Sequence, residues 1–214
     1  VQCTATDAHL NASHGSFTIT VQDTTPPALT LPADITAEAT SASGATVSYT
    51  ATATDLVDGN VTPVCAPASG STFALGTRTV QCTATDSHLN QSHGSFLVTV
   101  RDTTPPVIQS IDGSPRDVLW PNNHKMQSTT VVVSATDTVD PHPHAHIVSV
   151  TSDQPVNDGG DGDTAPDWNI TGDLTVDLRS ERSYGLDRHY TITVEVTDFS
   201  GNTSTGILVI VVHP

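Results

Sequence analysis

The sequence predicts an all-β protein built from small sandwiches in tandem, and three observations carry that expectation. Thr, Val, Ser, Pro and Gly crowd the chain, whereas the residues that sustain helices are scarce and Lys occurs once, at Lys125, which disfavours helical bundles. Apolar and polar residues alternate with period two over short stretches separated by turn residues, as half-buried strands require. A block of sequence also recurs. Val1–Pro27 and Val80–Pro106 lie 79 residues apart and are identical at 22 of 27 positions, so the chain reads as a repeat protein that opens inside a repeat.

Taken in order, residues 1–23 are expected to be the C-terminal part of a preceding, truncated module, two strands without their sandwich. Asp23-Thr-Thr-Pro-Pro27 and Asp102-Thr-Thr-Pro-Pro106 mark the joints, because paired prolines fix φ and cannot donate to a sheet ladder. Residues 24–102 form the complete module. Its strands are expected at Ala28–Leu31, Ile35–Ala39, Thr46–Ala53, Val61–Ala66, Ser71–Leu75, Arg78–Thr85 and Gly94–Arg101. Short strands at this density predict an immunoglobulin-like sandwich. Residues 103–214 are expected to be a larger sandwich on the same plan, with strands at Val107–Ile111, Thr129–Thr136, His146–Thr151, Leu174–Arg179, His189–Thr197 and Thr205–Val212 and an insert from Ser152 to Asp173. Val196–Gly206 echoes the stretch from Ala84. The joints are short and stiff, so the sandwiches are expected to form an elongated array.

Charge narrows the function. Seven basic against 23 acidic side chains give a net −16, which excludes a nucleic-acid binder relying on a basic footprint. The most apolar run, Ile207–Val212, falls far short of the roughly 20 residues of a bilayer helix.

The chain has three cysteines. Cys3 stands where Cys82 stands in the next copy, so its partner, the counterpart of Cys65, is expected upstream of residue 1. A Cys65–Cys82 disulfide is then expected within the complete module, implying an oxidising compartment; two buried reduced thiols are the alternative.

The segment Thr24–Val100, with DTTPP at its start, ATDLVDGNVTPVC at its centre and FALGTRTVQCTATD near its end, resembles the hyalin repeat (HYR) domain, an immunoglobulin-like extracellular module. It departs from the Ala-Gly-Asn common after the Thr-Asp of such repeats, reading Ser87-His88-Leu89-Asn90. The last module carries LWPNNHKM (Leu119–Met126), TSDQP (Thr151–Pro155), DGDTAPD (Asp161–Asp167) and LRSER (Leu178–Arg182). It is similar to the Ig-like domain that often closes bacterial proteins with such repeats. The resemblance implies secreted or cell-surface work in adhesion or spacing, and no catalysis.

In an immunoglobulin-like topology the B–C and F–G loops emerge at the end where the chain enters. Asp23 in the linker, Asp55 and Asp58 in the B–C loop and Asp86 in the F–G loop should therefore crowd one joint. Asp102, Asp137, Asp140 and Asp198 should do so at the next. Carboxylates this close repel unless a cation compensates them, and an oxygen-only set suits Ca²⁺. A shared ion would lock the angle between neighbours; the alternative is that each Asp merely forms a turn. Asp158, Asp161, Asp163 and Asp167, interleaved with Gly, offer a further loop for a hard cation, with a merely solvated loop as the alternative.

His142, His144 and His146 alternate along one strand face, where they could ligate Zn²⁺ or Cu²⁺, or simply form a polar face. His9, His14, His88 and His93 are expected as exposed turn residues. Asn-x-Ser/Thr triplets at Asn11, Asn60, Asn90, Asn169 and Asn202 carry little weight in a chain this rich in Ser and Thr.

No nucleophile with a base, paired carboxylates in a pocket or phosphate loop emerges, so the chain is not expected to be an enzyme. The leading expectation is a calcium-stiffened spacer or adhesion segment, extracellular or on the cell surface. Its partners would be neighbouring repeats, other copies in a filament reached through the unpaired edge of the N-terminal strands, or a surface protein. The rival is a glycan- or protein-binding module using Trp120, Trp168 and Tyr184.

Overall fold

The computed structural model describes residues 1–157, 165–183 and 185–213, and all regular structure among them is strand. In chain order the strands are β1 (Gln2–Thr6), β2 (Ala12–Ser16), β3 (Ala28–Thr30), β4 (Ile35–Glu38), β5 (Ala45–Val47), β6 (Thr52–Asp55), β7 (Gly59–Val61), β8 (Val64–Ala66), β9 (Ser71–Phe73), β10 (Gly76–Thr85), β11 (Gln91–Arg101), β12 (Val107–Ser114), β13 (Val118–Leu119), β14 (Met126–Thr136), β15 (His144–Ser152), β16 (Trp168–Gly172), β17 (Thr175–Arg179), β18 (Arg188–Thr197) and β19 (Thr203–Val212). No helix among the described residues is long and apolar enough to cross a membrane. The chain divides into two compact units, and β10 and β11 contribute residues to both.

The first unit comprises Val1–Ile35, Ser48–Ser71 and Thr79–Leu97. Its N-terminal hairpin pairs β1 with β2, placing Cys3 opposite Gly15, and every residue of both strands is exposed. β3, β6 and β7 make one antiparallel sheet. β8 pairs with β10 so that Cys65 lies directly opposite Cys82, and the two are joined in the expected disulfide. Val80, Cys82, Ala84 and Phe96 are buried, and Tyr49 packs edge-on against Phe96 with ring centroids 4.9 Å apart.

Two expected strands are broken, each for a local reason. Thr46–Ala53 divides into β5 and β6 because Tyr49 leaves the ladder: its N–H donates to Ser69 Oγ, and that hydroxyl donates to the Tyr49 carbonyl, both at 2.8 Å. Val61–Ala66 divides at Pro63, which has no N–H to give.

The second unit comprises Thr36–Val47, Thr72–Arg78 and Val98–Pro214. β5 pairs with β9; at the turn before β5, Gly44 has φ +102° and a Cβ there would collide with the Phe73 carbonyl. The rest is a sandwich of two four-stranded sheets, β12-β14-β17-β16 and β13-β19-β18-β15. Its core draws Val131, Val176 and Leu178 from one sheet and Leu119, Ile147, Val150, Tyr190, Ile192, Val194, Leu208, Ile210 and Val212 from the other. β18 alternates strictly, with Arg188, Tyr190, Ile192, Val194 and Val196 inward, as a strand with one face on a core must.

Arg188 is wholly buried on that inward face and pairs with the equally buried Asp167. Its Nη1 lies 3.6 Å from Glu181 Oε1, its Nε donates to Ser152 Oγ at 2.8 Å, and its guanidinium stacks over Tyr190 at 4.8 Å. Glu181 is also approached by His124 and Arg179. His124 of LWPNNHKM, Ser152 of TSDQP, Asp167, and Glu181 of LRSER thus meet around Arg188 and its acids. Part of the expected insert is regular structure: β16 pairs with β17.

Candidate cation sites

Each site begins in a turn that the sequence writes three times. Asp86 opens the turn between β10 and β11; its Oδ1 accepts the N–H groups of His88 (2.9 Å) and Asn90 (2.8 Å), and its Oδ2 accepts the Asn90 amide at 2.8 Å. Asp198 holds Asn202 in the same way at 2.9 and 2.8 Å. Asp7 holds His9 and Asn11 likewise. The residue before each Asn is left-handed: Leu10 and Leu89 at φ 68°, Gly201 at 89°. The departure from the Ala-Gly-Asn pattern at residues 87–90 therefore leaves the turn intact. The clamp also reaches the linker, since Asn90 Nδ2 donates to the Asp23 carbonyl and Asn202 Nδ2 to the Asp102 carbonyl, both at 3.3 Å.

The B–C loops are shaped by their own aspartates. Asp55 Oδ1 accepts from Val57 and Asp58 N–H at 2.7 and 3.0 Å, and Asp137 Oδ1 accepts from Val139 and Asp140 N–H, both at 2.7 Å. In the linkers Asp23 Oδ1 accepts from Thr25 N–H and Asp102 Oδ1 from Thr104 N–H. These are the turn-forming bonds expected of Asp, and each occupies one oxygen. The other oxygen of Asp23, Asp55 and Asp102 is buried without a hydrogen-bond partner.

Carboxylates from the linker and both loops converge at each site. Asp23, Asp55, Asp58 and Asp86 bring one carboxylate oxygen each to within 4.8 Å of one another, and Asp102, Asp137 and Asp198 do the same. Asp58 accepts the Ser87 hydroxyl at 2.7 Å and the Ser87 N–H at 3.0 Å, which hold its carboxyl below the ordinary carboxylate range, the hydroxyl most of all. One oxygen each of Asp23, Asp55 and Asp102 is buried with no hydrogen bond among these groups, and a buried carboxylate oxygen left so is costly. An oxygen-rich cage around a divalent cation removes that cost, and the donor set fits Ca²⁺.

Other expected ligands lie elsewhere. Asp140 is buried but does not join its group: its Oδ1 accepts His142 N–H at 2.8 Å and its Oδ2 accepts Phe199 N–H at 3.0 Å. Asp167 is engaged by Arg188 in the core of the last sandwich. Asp158, Asp161, Asp163 and Tyr184 lie outside the described residues. His88 is more than an exposed turn residue, because its Nδ1 stands 3.6 Å from Asp23 Oδ2 and 3.7 Å from Asp58 Oδ2. Its recurrence as His9 in the hairpin made it look like a repeat feature without a task.

His144 and His146 do share a face of β15, with rings 6.0 Å apart, and each faces an acid: Asp173 at 3.0 Å and Glu195 at 3.9 Å. Trp120 is 61% exposed, whereas Trp168 packs edge-on against Tyr190. The side-chain amides of Asn11, Asn90 and Asn202 are committed to the clamps, which leaves Asn60 and Asn169 as exposed asparagines of their triplets.

Residues 22–100 match the family model described as HYR domain. No curated protein matches the chain. Solved structures that are similar include protocadherin gamma B3 EC1-4, 9% identical over 86% of this chain and 49% of that chain with a TM-score of 0.38. Mouse cadherin-23 EC22-24 is 12% identical over 86% and 63%, TM-score 0.34, and human protocadherin-24 EC1-2 is 17% identical over 85% and 95%, TM-score 0.32. The chain spans about half the length of the first of these.

Proposed function

We propose, from the HYR domain at residues 22–100, that the chain is an extracellular adhesion-type repeat segment in which bound Ca²⁺ ties each linker to the loops of the module it enters. The observation that carries this reading is a buried Asp23 Oδ2 that accepts no hydrogen bond, on a carboxylate grouped with Asp55, Asp58 and Asp86, repeated by Asp102 grouped with Asp137 and Asp198. Each aspartate is already oriented by hydrogen bonds, Asp58 by Ser87 of the F–G turn and the others from their own segments, so an ion would meet an arranged cage rather than have to gather one. With the ion bound, the linker carboxylate, the B–C loop and the F–G turn share one centre, and the linker loses its freedom to swing. The segment then acts as a stiff, non-catalytic spacer, exposed to the oxidising surroundings in which Cys65–Cys82 persists. Neighbouring repeats are its first partners under this reading.

Calcium titration against EDTA treatment tests it. Ca²⁺ held at about 100 times its Kd stabilises the protein by about 2.7 kcal/mol, so the melting temperature should fall on chelation and small-angle scattering should report a broader range of shapes. Asp23→Asn and Asp102→Asn together should abolish both responses. Identical melting and scattering curves with and without EDTA would overturn the reading. A glycan-binding surface on Trp120, Trp168 and Tyr184 has less support, because Trp168 belongs to the core cluster's periphery.

A further inference from the structure

The rim of the Asp23 site carries a donor that its counterpart lacks. The His88 N–H donates to Asp86, and the ring places its Nδ1 3.3 Å from Ser87 Oγ, 3.6 Å from Asp23 Oδ2 and 3.7 Å from Asp58 Oδ2. Asp23, Asp58 and His88 form one group of donors within 4.8 Å, distinct from the group of Asp23, Asp55, Asp58 and Asp86. Two ligands bound at about 2.0–2.2 Å to one tetrahedral ion stand roughly 3.3–3.6 Å apart, so the triad is already close to that spacing. The oxygen facing the imidazole is independently in need of a partner: the Asp23 side chain is only 5% exposed and its Oδ2 accepts no hydrogen bond. In the turn from Asp198 to Asn202, the position of His88 is taken by Ser200.

We propose that the Asp23 linker holds a second, outer cation position of different chemistry, in which Asp23, Asp58 and His88 bind Zn²⁺ while the Asp102 linker remains an oxygen-only site. The proposal rests on reading the inner four-carboxylate position as a calcium site, with Asp23 and Asp58 shared between the two ions. Imidazole nitrogen suits Zn²⁺, whereas Ca²⁺ takes oxygen. His88 is half exposed, so the outer ion has a path from solvent and water to complete its shell. The two linkers would then answer to different ions, the first to both and the second to calcium alone.

Isothermal titration of the full chain with zinc chloride and with calcium chloride, alongside NMR of the histidine ring nitrogens, tests this. Zn²⁺ should shift the His88 ring signals, which separates this site from any binding at His144 or His146. In His88→Ser, which installs the residue found at position 200, the zinc affinity of this site should drop at least about tenfold, since loss of even an outer-shell partner costs 10–100-fold. Calcium binding should change less than about twofold. Unmoved His88 signals, or His88→Ser binding zinc like the parent, would overturn the proposal. If His88 takes zinc but calcium binds neither linker, the calcium reading fails and the zinc position stands by itself; if calcium binds both linkers and zinc leaves His88 unmoved, only the present inference fails.

Discussion

At Asp23 four carboxylates meet and at Asp102 three, although both linkers precede the same Asp-x-x-Asp spacing in the B–C loop. The difference lies in the residue after the second loop aspartate. Gly59 turns the chain straight into β7, where Asn60 is paired opposite Thr54, so Asp58 is left to face Ser87 and the cluster. Pro141 keeps the chain out of a ladder, and the free N–H of His142 folds back onto Asp140. The repeated charge pattern thus brings Asp58 to the F–G turn through its bonds from Ser87, whereas both oxygens of Asp140 accept from the N–H groups of His142 and Phe199.

The two modules also cohere by different means. The first unit closes on Ala53, Val80, Ala84 and Phe96 together with the Cys65–Cys82 disulfide. The sandwich that follows packs Tyr190, Leu178, Ile192 and Ile210 and buries an arginine with two acids.

The largest effect that should separate them is Arg188→Met. It strips the buried Asp167 of its guanidinium, and removing one partner of a buried pair costs about 3–5 kcal/mol. Hydrogen exchange read by mass spectrometry should show the loss in residues 107–157, 165–183 and 185–212 of the second unit and leave residues 48–71 and 79–97 of the first unit protected; equal loss in both would mean that the two do not cohere independently. The reverse is expected of the double variant Cys65→Ala/Cys82→Ala. Its bridge closes a separation of 17 residues, worth about 3 kcal/mol in the chain-entropy account, and the loss should fall on the HYR domain alone.

The smallest effect concerns the second linker. Glu38 accepts the Thr103 N–H at 2.6 Å, which most of all holds its carboxyl below the ordinary glutamate value; burial opposes this, and the Thr103 and Thr104 hydroxyls and the Arg101 charge add to the lowering. A depressed folded value means that this contact contributes fully above the unfolded pKa of about 4.3 and is lost as pH falls through the lower folded value. The Thr103 amide resonance should therefore move only below about pH 4, and Glu38→Gln should abolish that movement; an inflection above pH 5 would contradict it.

Most of the strand plan was legible in the residues, because period-two alternation and paired prolines act locally. What escaped was set by partners far along the chain. Ser69, distant in sequence, interrupts Thr46–Ala53; β16 hides behind an acidic, Gly-rich stretch; and Asp167 looks like a loop ligand until Arg188 is seen beside it. Asp23, Asp55, Asp58 and Asp86 were recognisable as a set because topology brings a linker and two loops to one end of a sandwich. His88 was not, since its part depends on a side-chain direction that no spacing encodes.

By itself the sequence determined the all-β class and the repeat and predicted the disulfide partners, because alternation, turn residues and the spacing of two copies are local or periodic features. Only the tertiary structure decided which carboxylates face one another, which is tied off by a neighbouring N–H and which is neutralised in a core. Those outcomes depend on distances of a few ångströms between segments dozens of residues apart, where electrostatic and desolvation energies change steeply.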